Sequence, residues 1–208
     1  MAGIRIGLKN LYYAILTEDP LTGRATYETP KRIAGVNSAT INPNPQQATY
    51  YGDDKGMETA ATLGEIGLEL KAASVPFEDQ AKLLGHELVN GVLVRKSSSS
   101  APWVAVGFET PKSNGKSRFV WLVKGKFTEG SQEAETKQDN ISFQDDSLTG
   151  SFVARDSDEV WQYHFDEDAL GLEETSPKAT WFTKVYDHTT AVVPTALKVS
   201  VKEEEATE

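Results

Sequence analysis

The sequence contains no cysteine. That excludes disulfide staples and thiolate metal sites, and it suits a product made in a reducing compartment. No apolar run approaches the roughly 20 residues a bilayer-spanning helix needs. The opening residues, MAGIRIGLKN, carry no apolar stretch behind their basic side chains, so neither a membrane anchor nor a secretory signal is expected.

Catalytic and ligand-binding constellations are equally scarce. The three histidines, His86, His164 and His188, do not share a helical ligand spacing, and His86-Glu87 lacks the second histidine of a zinc-protease motif. No G-x-S-x-G elbow occurs. The acidic clusters Asp53-Asp54, Asp145-Asp146 and Asp166-Glu167-Asp168 lack the glycine and closing glutamate of a Ca²⁺ loop, and read as turn and solubility residues. Thr110 to Ser117 (TPKSNGKS) imitates the second half of a phosphate-binding loop, but the first glycine is missing. The next residues, RFVWLVKGKF, alternate as a strand rather than opening a helix, so Asn114-Gly115 is expected to be a hairpin turn. No catalytic residue, cofactor or metal site is assigned.

Positive charge is short as well. The net charge is −10, but residues 1–60 are neutral and 61–129 carry +2. The last third, 130–208, holds six basic and eighteen acidic side chains, a net −12. Tight binding to a phosphate backbone needs clustered lysine and arginine, so nucleic acid is not expected as a bound ligand.

What is present is a period-two apolar pattern, repeated along 208 residues. Ile4, Ile6 and Leu8 alternate with polar residues, and Tyr12 to Leu16 continues as a strand before the turn at Asp19-Pro20. KRIAGVNSATI (31–41) reads as a strand. Residues 42–62 differ: Asn42-Pro43-Asn44-Pro45 removes ladder donors, and Gly52 to Gly56 marks a turn, giving a long hairpin-like arm. In 63–71, Ile66, Leu68 and Leu70 point one way while Glu65, Glu69 and Lys71 point the other.

One helix is expected over 76–85, with Pro76 in the first turn, Glu78 and Asp79 at the positive end of the dipole, and Gly85 as the stop. Further strands are read at 92–95, 102–108, 118–127, 141–143, 148–155, 160–165 and 181–186. A hairpin is placed between Phe152–Arg155 and Trp161–Phe165, and residues 128–140 read as turn-like. Trp103, Trp121, Trp161 and Trp181 all fall in strand-like runs and are read as core residues. The pattern predicts a mainly β (α+β) fold, a two-sheet β-sandwich or partial barrel flanked by one helix. One domain over 1–187 and a short, partly disordered tail over 188–208 complete the expectation.

Several segments, taken together and in order, resemble the major tail tube protein of long-tailed, non-contractile phages, especially those of Gram-positive bacteria. They are LKNLYYAILTED, TPKRIAGVNSATINP, ATYYGDDKGMETA, LLGHELVNGVLV, GFETPKSNGKSRFVWLVKGKF, GSFVARDSDEVWQYHFDEDA and WFTKVYD, spanning residues 4 to 187. With only residues 188–208 beyond them, the extra immunoglobulin-like domain of some relatives is not expected.

The resemblance implies a structural virion protein that is not an enzyme. Six copies would form a ring, and rings would stack into a tube that conducts DNA during ejection without binding it specifically. Implied partners are other copies of the chain, a tape-measure protein, a tail-tip adaptor and a tail terminator, with assembly in the host cytoplasm and no membrane. Within that picture Glu65 and Glu69 are the lumen-facing candidates. Tyr50, Tyr51, Asp53, Asp54 and Met57 are the arm residues expected to meet a neighbouring subunit or ring. Arg118, Lys124 and Lys126 sit awkwardly with a negative wall and are expected to meet acidic groups across a subunit boundary. The competing readings are an inner tube protein of a contractile injection system and a monomeric β-sandwich ligand-binding module.

Overall fold

In the computed structural model the described residues are 3–52, 55–130, 145–169 and 176–190, with the side chains of 48–61 and 190 left aside. The most apolar run of the chain is its organising element. Strand β9 (Ser117–Thr128) pairs with β8 (Val104–Pro111) from Ser117 to Gly125, and both are buried almost throughout. On its other edge β9 divides its partners. Its first half pairs with β11 (Gln162–Asp166) and its last residues with β10 (Asp146–Phe152).

From β8 the sheet continues to β1 (Lys9–Glu18), which also carries the short strands β2 (Thr26–Tyr27) and β3 (Lys31–Ile33). From β10 it continues to β5 (Lys55–Ala72) and β4 (Val36–Gly52), giving the order β2-β1-β8-β9-β10-β5-β4. A separate two-stranded sheet joins β6 (Glu87–Val89) to β7 (Val92–Val94). The large sheet is not closed into a barrel, and the mainly β architecture is consistent with a β-sandwich. It curls enough that β1 and β4, near opposite ends of the order, come into contact.

Alternation gives β9 two buried faces, and a bulge brings Phe127 onto the face of Val120 and Leu122. Val104 and Val106 of β8 face Gly125 and Leu122, so three residues of β9 span two of β8 and the in–out alternation inverts. Val120, Leu122 and Phe127 therefore share one core with Ile66, Leu68, Leu70, Leu83, Val104, Val106 and Phe152. Phe119, Trp121 and Val123 lie in a second core with Phe165, Trp181 and Val185. Gly107 must be glycine here, because a Cβ would stand 2.6 Å from the Trp121 ring.

Helix α1 (Phe77–Leu84) covers the first core with Ala81, Leu83 and Leu84 and ends at Gly85 in the left-handed conformation (φ 71°). Its one buried charge, Asp79, accepts from Tyr13 Oη (2.7 Å) and pairs with Lys31 Nζ (2.6 Å), which ties the helix to β1 and β3.

Several sequence expectations are corrected. Around Ile4 and Ile6 the chain forms no strand beyond a single bridge between Arg5 and Lys112, and both isoleucines are exposed because no core lies beneath them. The run 31–41 is two strands. Gly35 (φ 77°) lets the chain leave β1 and join β5. The turn Asp156–Asp158 exists, yet β10 and β11 make no ladder with each other, since each takes a different half of β9. Residues 181–186 form turns rather than a strand, so Trp181 is a core residue without being a strand residue. Trp103 is more than a third exposed and sits on the surface. The strand expected at 141–143 and the turn segment over 131–140 lie outside the described residues.

Candidate functional site

The outer face of the β9–β10–β5–β4 region is the most distinctive surface of the body. It arises from strict alternation: Ile66, Leu68 and Leu70 of β5 are buried, while Glu65, Glu69 and Lys71 between them are exposed. On β4, Ala39 and Ile41 pack inward and Ser38, Thr40 and Asn42 point out. Because directly opposed residues share a face in an antiparallel pair, the register lines these side chains into cross-strand rows. One row runs Thr40–Glu69–Thr149–Thr128 and the next Asn42–Gly67–Ser151–Lys126. A third joins Ser38, Lys71 and Ser147. The rows contain no large apolar side chain. The rows carry Glu69, Lys71 and Lys126, and Glu65 lies beside them on the same face, so this face is mixed and nearly neutral rather than uniformly acidic.

The same two strands run on as the arm. Among the described residues β4 ends the strand order and no strand pairs with its outer edge, which accommodates Pro43 and Pro45 without loss of a needed donor. Between Pro43 and Pro45 the register shifts, and Asn44 approaches Gly64 so closely that a Cβ there would lie 2.7 Å from its carbonyl oxygen. Glu65 sits at this junction. Beyond it, Gln46 to Gly52 pair only with Lys55 to Thr62, a two-stranded limb of about 25 Å at the usual rise per residue. Tyr50, Tyr51 and Met57 lie on these limbs, with side chains outside the described set. Asp53 and Asp54 at the tip are outside the described residues altogether.

Arg118 and Lys124 of β9 pair with acidic groups of their own chain, where partners across a subunit boundary were expected, while Lys126 has no acidic partner among the described residues. Lys112, with a side chain 2% exposed, sits between Asp166 and Asp168, at 2.7 Å from the latter. Arg118 Nη2 donates to Asp166 Oδ2 (2.8 Å). Asp168 also accepts from Gly3 N (3.2 Å) and from Asn114 Nδ2 (2.8 Å), so one acidic turn holds the chain start, the β8–β9 turn and the end of β11. Burial pushes the Asp166 carboxyl up, but the hydrogen bonds from Lys112, the Asp168 N–H and Arg118 outweigh it and hold it at about 2. Hydrogen bonding from Lys112 likewise keeps Asp168 well below the carboxylate range.

At the other end of β9, Lys124 bridges Asp19 (2.8 Å) and Asp156 (2.7 Å). Lys124 and Lys126 both lie over the Trp103 ring, at 5.1 and 4.7 Å. The buried Arg155 joins Asp158, Tyr27 and Tyr163, and burial pushes the Tyr27 hydroxyl up to about 12 against the opposing pull of Arg155. Read along the chain, Asp166-Glu167-Asp168 is a solubility turn and the Lys112 cradle stays hidden, because no spacing announces a partner about fifty residues away.

Among the described residues no group of three or more His, Asp or Glu could hold a metal ion, and no helix is long and apolar enough to cross a membrane. Asn114-Gly115 forms the β8–β9 turn, with Gly115 at φ 78° and a strand after it.

The described residues form a mainly β body with buried charge pairs, a polar strand face and a long paired arm. The family model for phage tail tube protein matches residues 17–189, and the chain belongs to that family, a family of structural proteins of the virion tail. No curated protein matches the chain.

Proposed function

We propose that six copies of this chain close into a ring, that rings stack into the tail tube, and that DNA passes through the bore during ejection without specific binding. The observation that carries the reading is the continuity of polar face and arm. The β9–β10–β5–β4 face is lined by short hydroxyl and amide side chains, and its last strand, free at its outer edge among the described residues, runs directly into a limb paired only with itself. A free edge of this length invites another strand, and joining it to the next copy would protect it. In this reading Glu65 and Glu69 face the bore. A wall carrying equal numbers of cations and anions among small polar groups gives phosphate little to hold.

The arm over 42–62, with Tyr50, Tyr51, Asp53, Asp54 and Met57, reaches an adjacent subunit or the next ring. The tape-measure protein occupies the bore before DNA does, while an adaptor and a terminator cap the ends. Assembly takes place in the host cytoplasm. The order of the sequence segments supports a long-tailed, non-contractile phage of a Gram-positive host. Deleting residues 44–58 tests the arm: the variant should keep its far-ultraviolet spectrum and cooperative melting yet make no tubes. Normal tubes from that deletion would overturn the role given to the arm.

A further inference from the structure

The chain contains two Asn-Gly pairs in hairpin turns, Asn90-Gly91 between β6 and β7 and Asn114-Gly115 between β8 and β9. We propose that Asn90 is a site of spontaneous deamidation through its own backbone and that Asn114 is protected. The reaction needs no other protein. The Gly91 amide nitrogen gives its proton to solvent base and attacks Asn90 Cγ. The new C–N bond closes a five-membered imide, and the Cγ–Nδ2 bond breaks with loss of ammonia. Water then opens the imide at either carbonyl, leaving aspartate or, with the main chain rerouted through Cγ, isoaspartate.

Both turns are exposed, and a Cβ on either glycine would meet nothing within 4 Å; they differ in hydrogen-bond restraint and in the ladder that supports them. Asn90 (φ 51°) and Gly91 (φ 81°) form a two-residue turn. Among the described residues, neither the Asn90 side chain nor the Gly91 N–H takes part in a hydrogen bond. The supporting ladder has only the pairs Glu87↔Val94, Leu88↔Leu93 and Val89↔Val92, in a sheet of two strands. Such a hairpin opens at low cost, which lets Asn90 rotate into the attacking geometry.

At the second site the nucleophile and the electrophile are both restrained. Gly115 N donates to Lys112 O (3.1 Å). Asn114 Nδ2 donates to Asp168 Oδ1 (2.8 Å), and Asn114 Oδ1 accepts from Lys116 N (3.2 Å). The turn closes on Pro111↔Ser117, the end of a ladder that belongs to the centre of the large sheet. Conversion at Asn90 places a carboxylate beside the exposed Leu88, Val89 and Val92, and isoaspartate lengthens the main chain so that the two-residue turn no longer fits.

The test is to incubate the full-length chain in mildly alkaline buffer, digest it, and follow both peptides by mass spectrometry and by isoaspartate methyltransferase labelling. In folded protein, residue 90 should convert on the order of 100-fold faster than residue 114, the factor expected for breaking one charged and one neutral hydrogen bond first. In concentrated urea, where both turns are lost, the two rates should converge. Equal rates in the folded chain would overturn the proposal, as would an intact Asn90 under conditions that convert it in urea.

Discussion

The two faces of β9 are buried equally well but by different means. On one face, mostly aliphatic side chains from β5, β8 and β10, with Phe108 and Phe152 among them, meet α1, so regular elements cover regular strands. On the other face, Phe119, Trp121 and Phe165 are covered by the irregular segment 176–190, which docks through rings. Tyr12 stacks on Phe182 with centroids 4.6 Å apart, Trp181 stacks on Tyr186 at 5.0 Å, and Trp121 Nε1 donates to Trp181 O (2.9 Å). The comparison teaches that backbone pairing is not needed to close a core. A few large aromatic side chains supply enough contact area to hold a segment whose own backbone bonds are local.

That contrast can be broken by substitution. Trp121→Ala removes the centre of the aromatic face and should cost about 3–5 kcal/mol. It should also release 176–190 to limited proteolysis, whereas Leu122→Ala, one residue away on the aliphatic face, should lower stability by about 2–5 kcal/mol while leaving that segment protected. Equal protease sensitivity in the two variants would show that the segment is not held by the ring contacts. Tyr13→Phe deletes the hydroxyl that donates to Asp79 but leaves Lys31 in place, so a loss of about 1–2 kcal/mol in chemical denaturation is expected.

The charge pairs at the start of β9 give a pH dependence. Asp166 and Asp168 have folded-state values below the ordinary carboxylate value of about 3.9. Their stabilisation is therefore complete above about pH 4 and lost as pH falls through about 2. Lys112→Met removes the main partner, so its melting temperature should fall less steeply than the parent's across that window. Parallel slopes would show that the pair does not set acid stability.

The smallest effect on the fold is expected at the exposed face. Glu65→Lys with Glu69→Lys should change stability by less than about 0.5 kcal/mol per site. Assembled tubes of this double variant should nevertheless retain linear DNA in a salt-dependent way. Retention equal to the parent's would place both residues outside the bore.

The reach of the sequence obeys the same division. Where burial is periodic, the pattern is readable: Ile66, Leu68 and Leu70 against Glu65 and Glu69, or the helix from Phe77 to its stop at Gly85. It misleads where alternation has no core beneath it, as at Ile4 and Ile6, and where apolar residues are spaced for turns, as at Trp181 and Val185. The division of β9 between two partners is invisible, because the bulge near Gly125 depends on Phe152 filling the space above a glycine. The Lys112 cradle is invisible for a related reason: each of its residues is ordinary alone, and only the β9–β11 register brings them together.

The most direct test of the central claim is negative-stain electron microscopy, with light scattering, of the concentrated pure chain seeded with tail-tip proteins. Hollow rings stacking into tubes of uniform diameter are expected. A chain that stays monomeric at high concentration in the presence of the seed would contradict self-assembly as its function.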